Sequence, residues 1–147
     1  MKKFLCLCIL SIIIGCSSPV AEEKTELLRL HNFERQTKKI YPLSINSDAM
    51  KSAQKHADWM AKKDKMSHTG EHNSQPWDRI EGDWSLVGEN IAYGADSPDD
   101  VMSMWMKSTG HKKNILSKDF KGVGFGIAYH YDKNGNKTKY WCTVFTN

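Results

Sequence analysis

The sequence predicts an α+β domain, and two changes of pattern carry that expectation. Over its first two thirds, apolar residues recur at helical spacing in three separated segments. After Gly122 the period drops to two and a hairpin signal follows, so helices and strands are segregated along the chain.

Met1-Lys2-Lys3 and the apolar run Phe4 to Ile14 form the basic head and short greasy core of a secretory signal, too short for a stable membrane span. The run ends Ile13-Ile14-Gly15-Cys16, a bacterial lipobox pattern. Residues 1–15 are therefore expected to leave as a signal peptide, with Cys16 taking palmitate and related lipid chains. Four cysteines are present. Cys6 and Cys8 go with the leader and Cys16 is acylated, so Cys142 alone remains and no internal disulfide can form. An exported domain without disulfides must be held by its core. Cys142 sits in the apolar run Tyr140 to Phe145 and is expected to be a buried structural thiol.

Taking the two leader lysines from the 21 basic residues leaves 19 against 17 acidic ones, a net charge of +2. That excludes nucleic acid as an expected partner. Residues 16–24 carry Pro19 and charges without periodicity and are expected to be a tether, followed by a single domain over 25–147.

Leu27, Leu30, His31 and Glu34 share one face of a helix expected from about Glu22 to Lys38, and Pro42 separates it from the next element. His31 on that face reads as a core histidine. Asn46 or Ser47 caps a second helix whose buried stripe is Met50, Ala53, Ala57, Met60 and Ala61. From His68 to Asn90 the chain is punctuated by Gly70, Pro76, Gly82 and Gly88 and reads as ordered loop with one helical turn at Trp77 to Ile80. Ser97-Pro98-Asp99-Asp100 is a helix start with its cap, its first-position proline and its acids. Val101, Met104, Trp105 and Ser108 share one face of that helix, and Gly110 is expected to end it, leaving His111 just beyond. Gly122, Gly124, Gly126 and Ala128 alternate with Val123, Phe125, Ile127 and Tyr129, so one strand face is bare, as required where another backbone packs closely. Asn134-Gly135 turns the chain into a partner strand over Lys139 to Thr146.

Leu30-His31-Asn32, Ser67-His68, Gly88-Glu89-Asn90-Ile91, Trp105 with Gly110-His111 and Asn114-Ile115-Leu116, Gly122-Val123-Gly124 and Tyr140-Trp141 come in an order and at intervals that resemble the bacterial branch of the CAP superfamily. That superfamily holds sperm-coating proteins, PR-1 proteins and cysteine-rich secretory proteins. The resemblance runs from about Leu27 to Phe145 and implies an α-β-α sandwich with an antiparallel sheet between helical layers. It also implies a cleft where His68 and His111 are natural ligands for a divalent metal, zinc above all, with Glu89 as a further ligand or the holder of a bound water. Ser108 stands where eukaryotic members often place a second acid.

Two patterns in the residues themselves bear on catalysis. His68-Thr69-Gly70-Glu71-His72 matches a zinc-protease pattern that needs a helix, which Gly70, Asn73 and Pro76 oppose, so His72 is left as a mobile extra ligand of the cleft. A hydrolase would use Ser108 as nucleophile, His111 as base and Glu89 as orienter, but no strained elbow surrounds Ser108. The resulting expectation is a non-enzymatic ligand-binding lipoprotein, with a metal-assisted or serine-type hydrolase as the alternative. Its partners would be the membrane through the anchor and a lipid, a sterol or a partner protein. The anchor implies a bacterial cell membrane or outer membrane, with the domain facing away from the cytoplasm.

Overall fold

The computed structural model describes residues 18–147, so the expected signal peptide and the expected lipidation site, Cys16, lie outside the described residues. Helix α1 spans Pro19–Thr37, a two-residue strand β1 Ser44–Ile45, and helix α2 Ser47–Lys63. Two short 3-10 turns, Glu71–Asn73 and Pro76–Asp78, lead to strand β2, Val87–Tyr93. Helices α3, Pro98–Lys107, and α4, Thr109–Ile115, precede the long hairpin of β3, Gly122–Tyr131, and β4, Lys137–Thr146.

The sheet order is β1-β3-β4-β2, with β3, β4 and β2 antiparallel and β1 joined to β3 in parallel. Alternation sorts its side chains into two cores. Val123, Phe125, Ile127, Trp141 and Phe145 pack with Leu27 of α1, Val101, Met102 and Trp105 of α3 and Ile115 of α4. On the opposite face Ala128, Tyr140, Cys142, Val144 and Ile91 meet Ala49, Ala53, Ala57 and Met60 of α2. The result is the expected α-β-α layering, with α2 alone on one face and α1, α3 and α4 on the other.

The bare strand face meets a helix backbone. A Cβ built on Gly124 would lie 2.1 Å from the Ala49 carbonyl carbon and the Met50 nitrogen, and one on Gly126 would lie 2.0 Å from the Ala53 carbonyl oxygen. Glycine on β3 and alanine on α2 together let helix and sheet touch along their backbones.

Four expectations need correction. Residues 19–24 are helical instead of an extended tether: Ser18 accepts from the Ala21 N–H, Pro19 opens the helix and Glu22 sits in its first turn. Val87–Tyr93 is a strand, where the loop reading had extended to Asn90. Ser108, extended at φ −93° and ψ 125°, breaks the helix, and Gly110 with His111 falls inside α4. Finally, α1 buries Leu27, His31 and Arg35, so Leu30 and Glu34 are off the fully buried line.

Arg35 is an uncommon core residue. Its guanidinium donates to the carbonyls of Tyr41, Ile115, Ser117 and Phe120, so a charge with no carboxylate partner among the described residues is satisfied by carbonyl dipoles, three of them at or after the end of α4. His31, one turn earlier, donates Nδ1–H to the Leu27 carbonyl at 2.7 Å and lies among Trp105, Phe125 and Phe145. Burial lowers its pKa to about 4. An unfolded histidine titrates near 6.5, so the unfolded state takes up this proton first and stability is lost as the pH falls from about 6.5 towards 4. Urea unfolding across that interval is expected to show wild type losing about 3 kcal/mol more than His31→Leu. Parallel pH profiles for the two proteins would contradict the assignment.

Candidate functional site

The site forms along the free edge of β2, the outermost strand on its side of the sheet. An edge strand presents unpaired carbonyls, and here side chains from the helical layer cover them. Trp105 Nε1–H donates to the Ile91 carbonyl at 3.2 Å, and Asn114 Nδ2 donates to the Glu89 carbonyl at 3.2 Å and to Asn90 Oδ1 at 2.9 Å. Asn90 in turn donates Nδ2–H to the His111 carbonyl at 3.0 Å. Strand β2 and helix α4 are thereby fixed in register, and His111 is held beside the strand.

Alternation along β2 sends Glu89 to the opposite face, towards α2. Its side chain is 1% exposed, and both oxygens are engaged. Oε2 pairs with Arg79 Nη2 at 2.5 Å, and Oε1 accepts from His68 Nδ1 at 2.8 Å. Since a carboxylate oxygen accepts, the His68 Nδ1 carries the proton and its Nε2 lone pair is free to face outward. The His68 side chain is 53% exposed, so that nitrogen is accessible while the ring is held from behind.

Arg79 locks the loop as well as the acid. Its Nη1 donates to the His68 carbonyl at 2.9 Å and to the Ser74 carbonyl at 2.8 Å. Behind it, His56 of α2 contributes Nε2 at 2.8 Å from the Ser67 carbonyl and 3.9 Å from Glu89 Oε1. Burial lowers the His56 pKa first of all, which keeps the ring neutral beside Arg79. Cys142 Sγ lies 3.7 Å from Glu89 Oε2, and burial, reinforced by the Glu89 charge, raises the thiol well above its ordinary value. Cys142 is a buried, protonated neighbour of the acid.

His111 opens on a cleft of about 200 Å³ lined by Met66, Ile91, Ala92, Tyr93, Met104, Trp105 and Ser108. Its pKa is lowered by burial and then by the nearby His68. Ser108 shares the cleft, yet among the described residues no hydrogen bond joins its hydroxyl to an imidazole. His72 is placed apart from this cleft, on a loop with φ +54°, in a second pocket with Lys55, Trp59 and Arg79.

Residues 28–145 match the cysteine-rich secretory protein family, the CAP family. The chain belongs to the CAP family. An uncharacterized Bacillus subtilis protein, YkwD, is 34% identical over 112 residues, spanning 74% of this chain and 44% of that protein. The uncharacterized B. subtilis membrane protein YlbC is 28% identical over 109 residues, 72% of this chain and 32% of its own length. This chain therefore spans less than half of the curated relatives it matches. Among solved structures, an outer surface protein of Borrelia burgdorferi superposes with a TM-score of 0.76 at 19% identity, covering 91% of this chain and 98% of that one. An extracellular protein with an SCP domain from Bacillus anthracis superposes with a TM-score of 0.74 at 24% identity, covering 90% and 45%. Both show the CAP fold.

In this CAP domain His68 and His111 lie near enough for their charges to interact, and His111 lines the cleft. Among the described residues no group of three or more His, Cys, Asp or Glu side chains is arranged to enclose a metal. The Glu89 oxygens are spent on His68 and Arg79. The resemblance to the CAP superfamily pointed to His68, Glu89 and His111 but not to Arg79, which pairs with Glu89, or to His56, which lies behind it. The signal for His56 was its position on the alanine stripe of α2, between Ala53 and Met60. Arg79 had no periodic signal, because it reaches the acid from a loop.

Proposed function

We propose that this protein is a lipid-anchored CAP-domain module, displayed outside the cytoplasm, that binds a ligand without chemically altering it. The cleft beside His111 would take that ligand, and a divalent ion, zinc by preference, would sit on His68 and His111. The observation that carries this reading is the buried Glu89 carboxylate behind His68. A carboxylate on one imidazole nitrogen fixes the tautomer and raises the basicity of the other, the usual support for a histidine that ligates metal. Glu89 is thus an orienting partner rather than a third ligand, and two coordination positions are left for water or for a group of the bound ligand.

Support for the location is of two kinds. Relatives are described as a membrane protein, an extracellular protein and an outer surface protein. No helix among the described residues is long and apolar enough to cross a membrane, so the lipobox cysteine, Cys16, is the proposed attachment. The apolar lining of the cleft by Met66, Ile91, Tyr93, Met104 and Trp105 favours a lipid or sterol portion, or an apolar side chain of a protein partner, over a polar metabolite.

Calorimetry with zinc tests the ion site. Binding needs neutral imidazoles, and His111 is held below the ordinary imidazole value, so affinity should be high at pH 7 and fall in acid. His111→Ala is expected to remove binding. Ser108→Glu adds an anionic donor to the same cleft and is expected to tighten it about tenfold or more. Unchanged affinity in His111→Ala would refute the two-histidine site.

A further inference from the structure

A second pocket lies on the α2 side of Arg79. It has a volume of about 340 Å³, at the small end for ligand pockets, and it is lined by Lys55, His56, Trp59, Ser74, Arg79 and the loop at His72. Buried polar groups in folded proteins are almost always partnered, so orphaned ones mark either a missing ligand or a missing water. Among the described residues eight buried side-chain polar atoms lack a partner, and three of them, His56 Nδ1, Trp59 Nε1 and Arg79 Nε, belong to residues lining this one pocket.

The chemistry of the three atoms defines a ligand class. Trp59 Nε1–H and Arg79 Nε–H only donate. His56 Nε2 lies 2.8 Å from the Ser67 carbonyl, which only accepts, so the proton is on Nε2 and Nδ1 is an acceptor. His56 is 1% exposed. Its ring stacks on Trp59 with centroids 5.5 Å apart and planes 9° from parallel, giving a rigid aromatic wall. The lining carries charges of both signs, Lys55 and Arg79 with Glu71 and Asp78, while Lys55 lies 3.8 Å from Glu81 and Arg79 is already paired with Glu89. A small ion of either sign gains little there.

The rim is built with strain. His72 and Asn73 are consecutive left-handed residues at φ +54° and +61°, and the turn is closed by Gly70 N–H to the Ser74 carbonyl at 2.8 Å. Left-handed backbone at residues other than glycine persists where the surroundings enforce it. Here Arg79 does so, through its bond to the Ser74 carbonyl.

We propose that this pocket binds one unit of a neutral polyhydroxylated ligand, a monosaccharide ring, with its hydroxyls bonded to His56, Trp59 and Arg79. A sugar hydroxyl donates and accepts at once, which suits one acceptor set among donors. The carbon-bound hydrogens of the ring provide an apolar face for the Trp59 wall. This site is separate from the His68 and His111 cleft, and zinc binding there neither supports nor weakens it.

The test is a titration of ¹⁵N-labelled protein with glucose, galactose and N-acetylglucosamine, with inorganic phosphate, acetate and glycine as ionic controls. Trp59→Phe assigns the Trp59 indole cross-peak. At least one sugar is expected to shift that cross-peak saturably at millimolar concentration. Trp59→Phe keeps the aromatic wall and loses one donor, so sugar binding, read from the backbone amide cross-peaks of Ser74 and Arg79 that line the same pocket, should weaken roughly three- to tenfold, the effect of one hydrogen bond. Ser74→Phe fills the pocket from its rim and should abolish the shifts. The proposal is overturned if no sugar moves the Trp59 indole, if an ionic control moves it in place of sugars, or if affinity survives both substitutions unchanged.

Discussion

Gly124→Val is expected to destabilise the domain by at least about 3 kcal/mol, read as a lowered urea midpoint at unchanged slope. Overpacking usually costs about 1–3 kcal/mol because side chains shift to make room. At Gly124 the obstacle is backbone: the added Cβ would stand 2.1 Å from both the Ala49 carbonyl carbon and the Met50 nitrogen. Helix α2 would have to lift from the sheet, opening the core of Ala53, Ala57, Met60, Cys142 and Val144. Gly110 serves as the control, since a Cβ there meets nothing within 4 Å. Gly110→Ala should be neutral or slightly stabilising. Equal midpoints for Gly124→Val and wild type would mean that α2 does not rest on the sheet as described.

Glu89→Gln is expected to cost about 3–5 kcal/mol, as breaking a buried ion pair from one side does. The amide keeps the shape but leaves the Arg79 guanidinium, with a side chain only 12% exposed, without its counter-charge. The penalty should therefore be mutual. In a double-mutant cycle, adding Arg79→Met to Glu89→Gln should cost less than the two single changes together, and strict additivity would show that the pair is not coupled. His68 also loses its anionic partner, so zinc affinity should fall in Glu89→Gln even where the protein remains folded.

Much of the architecture was legible in the residues. The Asn46 cap with the alanine stripe of α2, the Ser97-Pro98 start of α3, the bare glycine face and the Asn134-Gly135 turn each follow from local chemistry that tertiary structure did not override. The failures are informative in their own way. Strand β2 escaped because Gly88, Glu89 and Asn90 interrupt its apolar alternation, and Glu89 and Asn90 are positions of the site. Local rules are expected to break where function intrudes. The break at Ser108 escaped because nothing local demands it; Asn90 and Asn114 draw α4 onto the edge of β2 by long-range hydrogen bonds.

For the site, the two histidines and the acid could be named from their order in the chain, but not their division of labour. Glu89 is expected from the resemblance as a further ligand or the holder of a bound water, and in the structure both of its oxygens are engaged, by Arg79 and His68. That distinction depends on a loop arginine ten residues before the acid and on the face of β2 from which Glu89 projects. Neither leaves a periodic trace.

The proposed ion site requires Glu89 to hold His68 with Nδ1 protonated and Nε2 open, so that His68 and His111 together can bind one ion. Long-range ¹H–¹⁵N spectra of the histidine rings, recorded during a zinc titration at pH 7, test it most directly. His68 is expected in the Nδ1–H form before zinc is added, with the His68 Nε2 signal and one ring nitrogen of His111 shifting together as zinc binds. A His68 ring protonated on Nε2, or a zinc response that leaves either histidine unmoved, would contradict it.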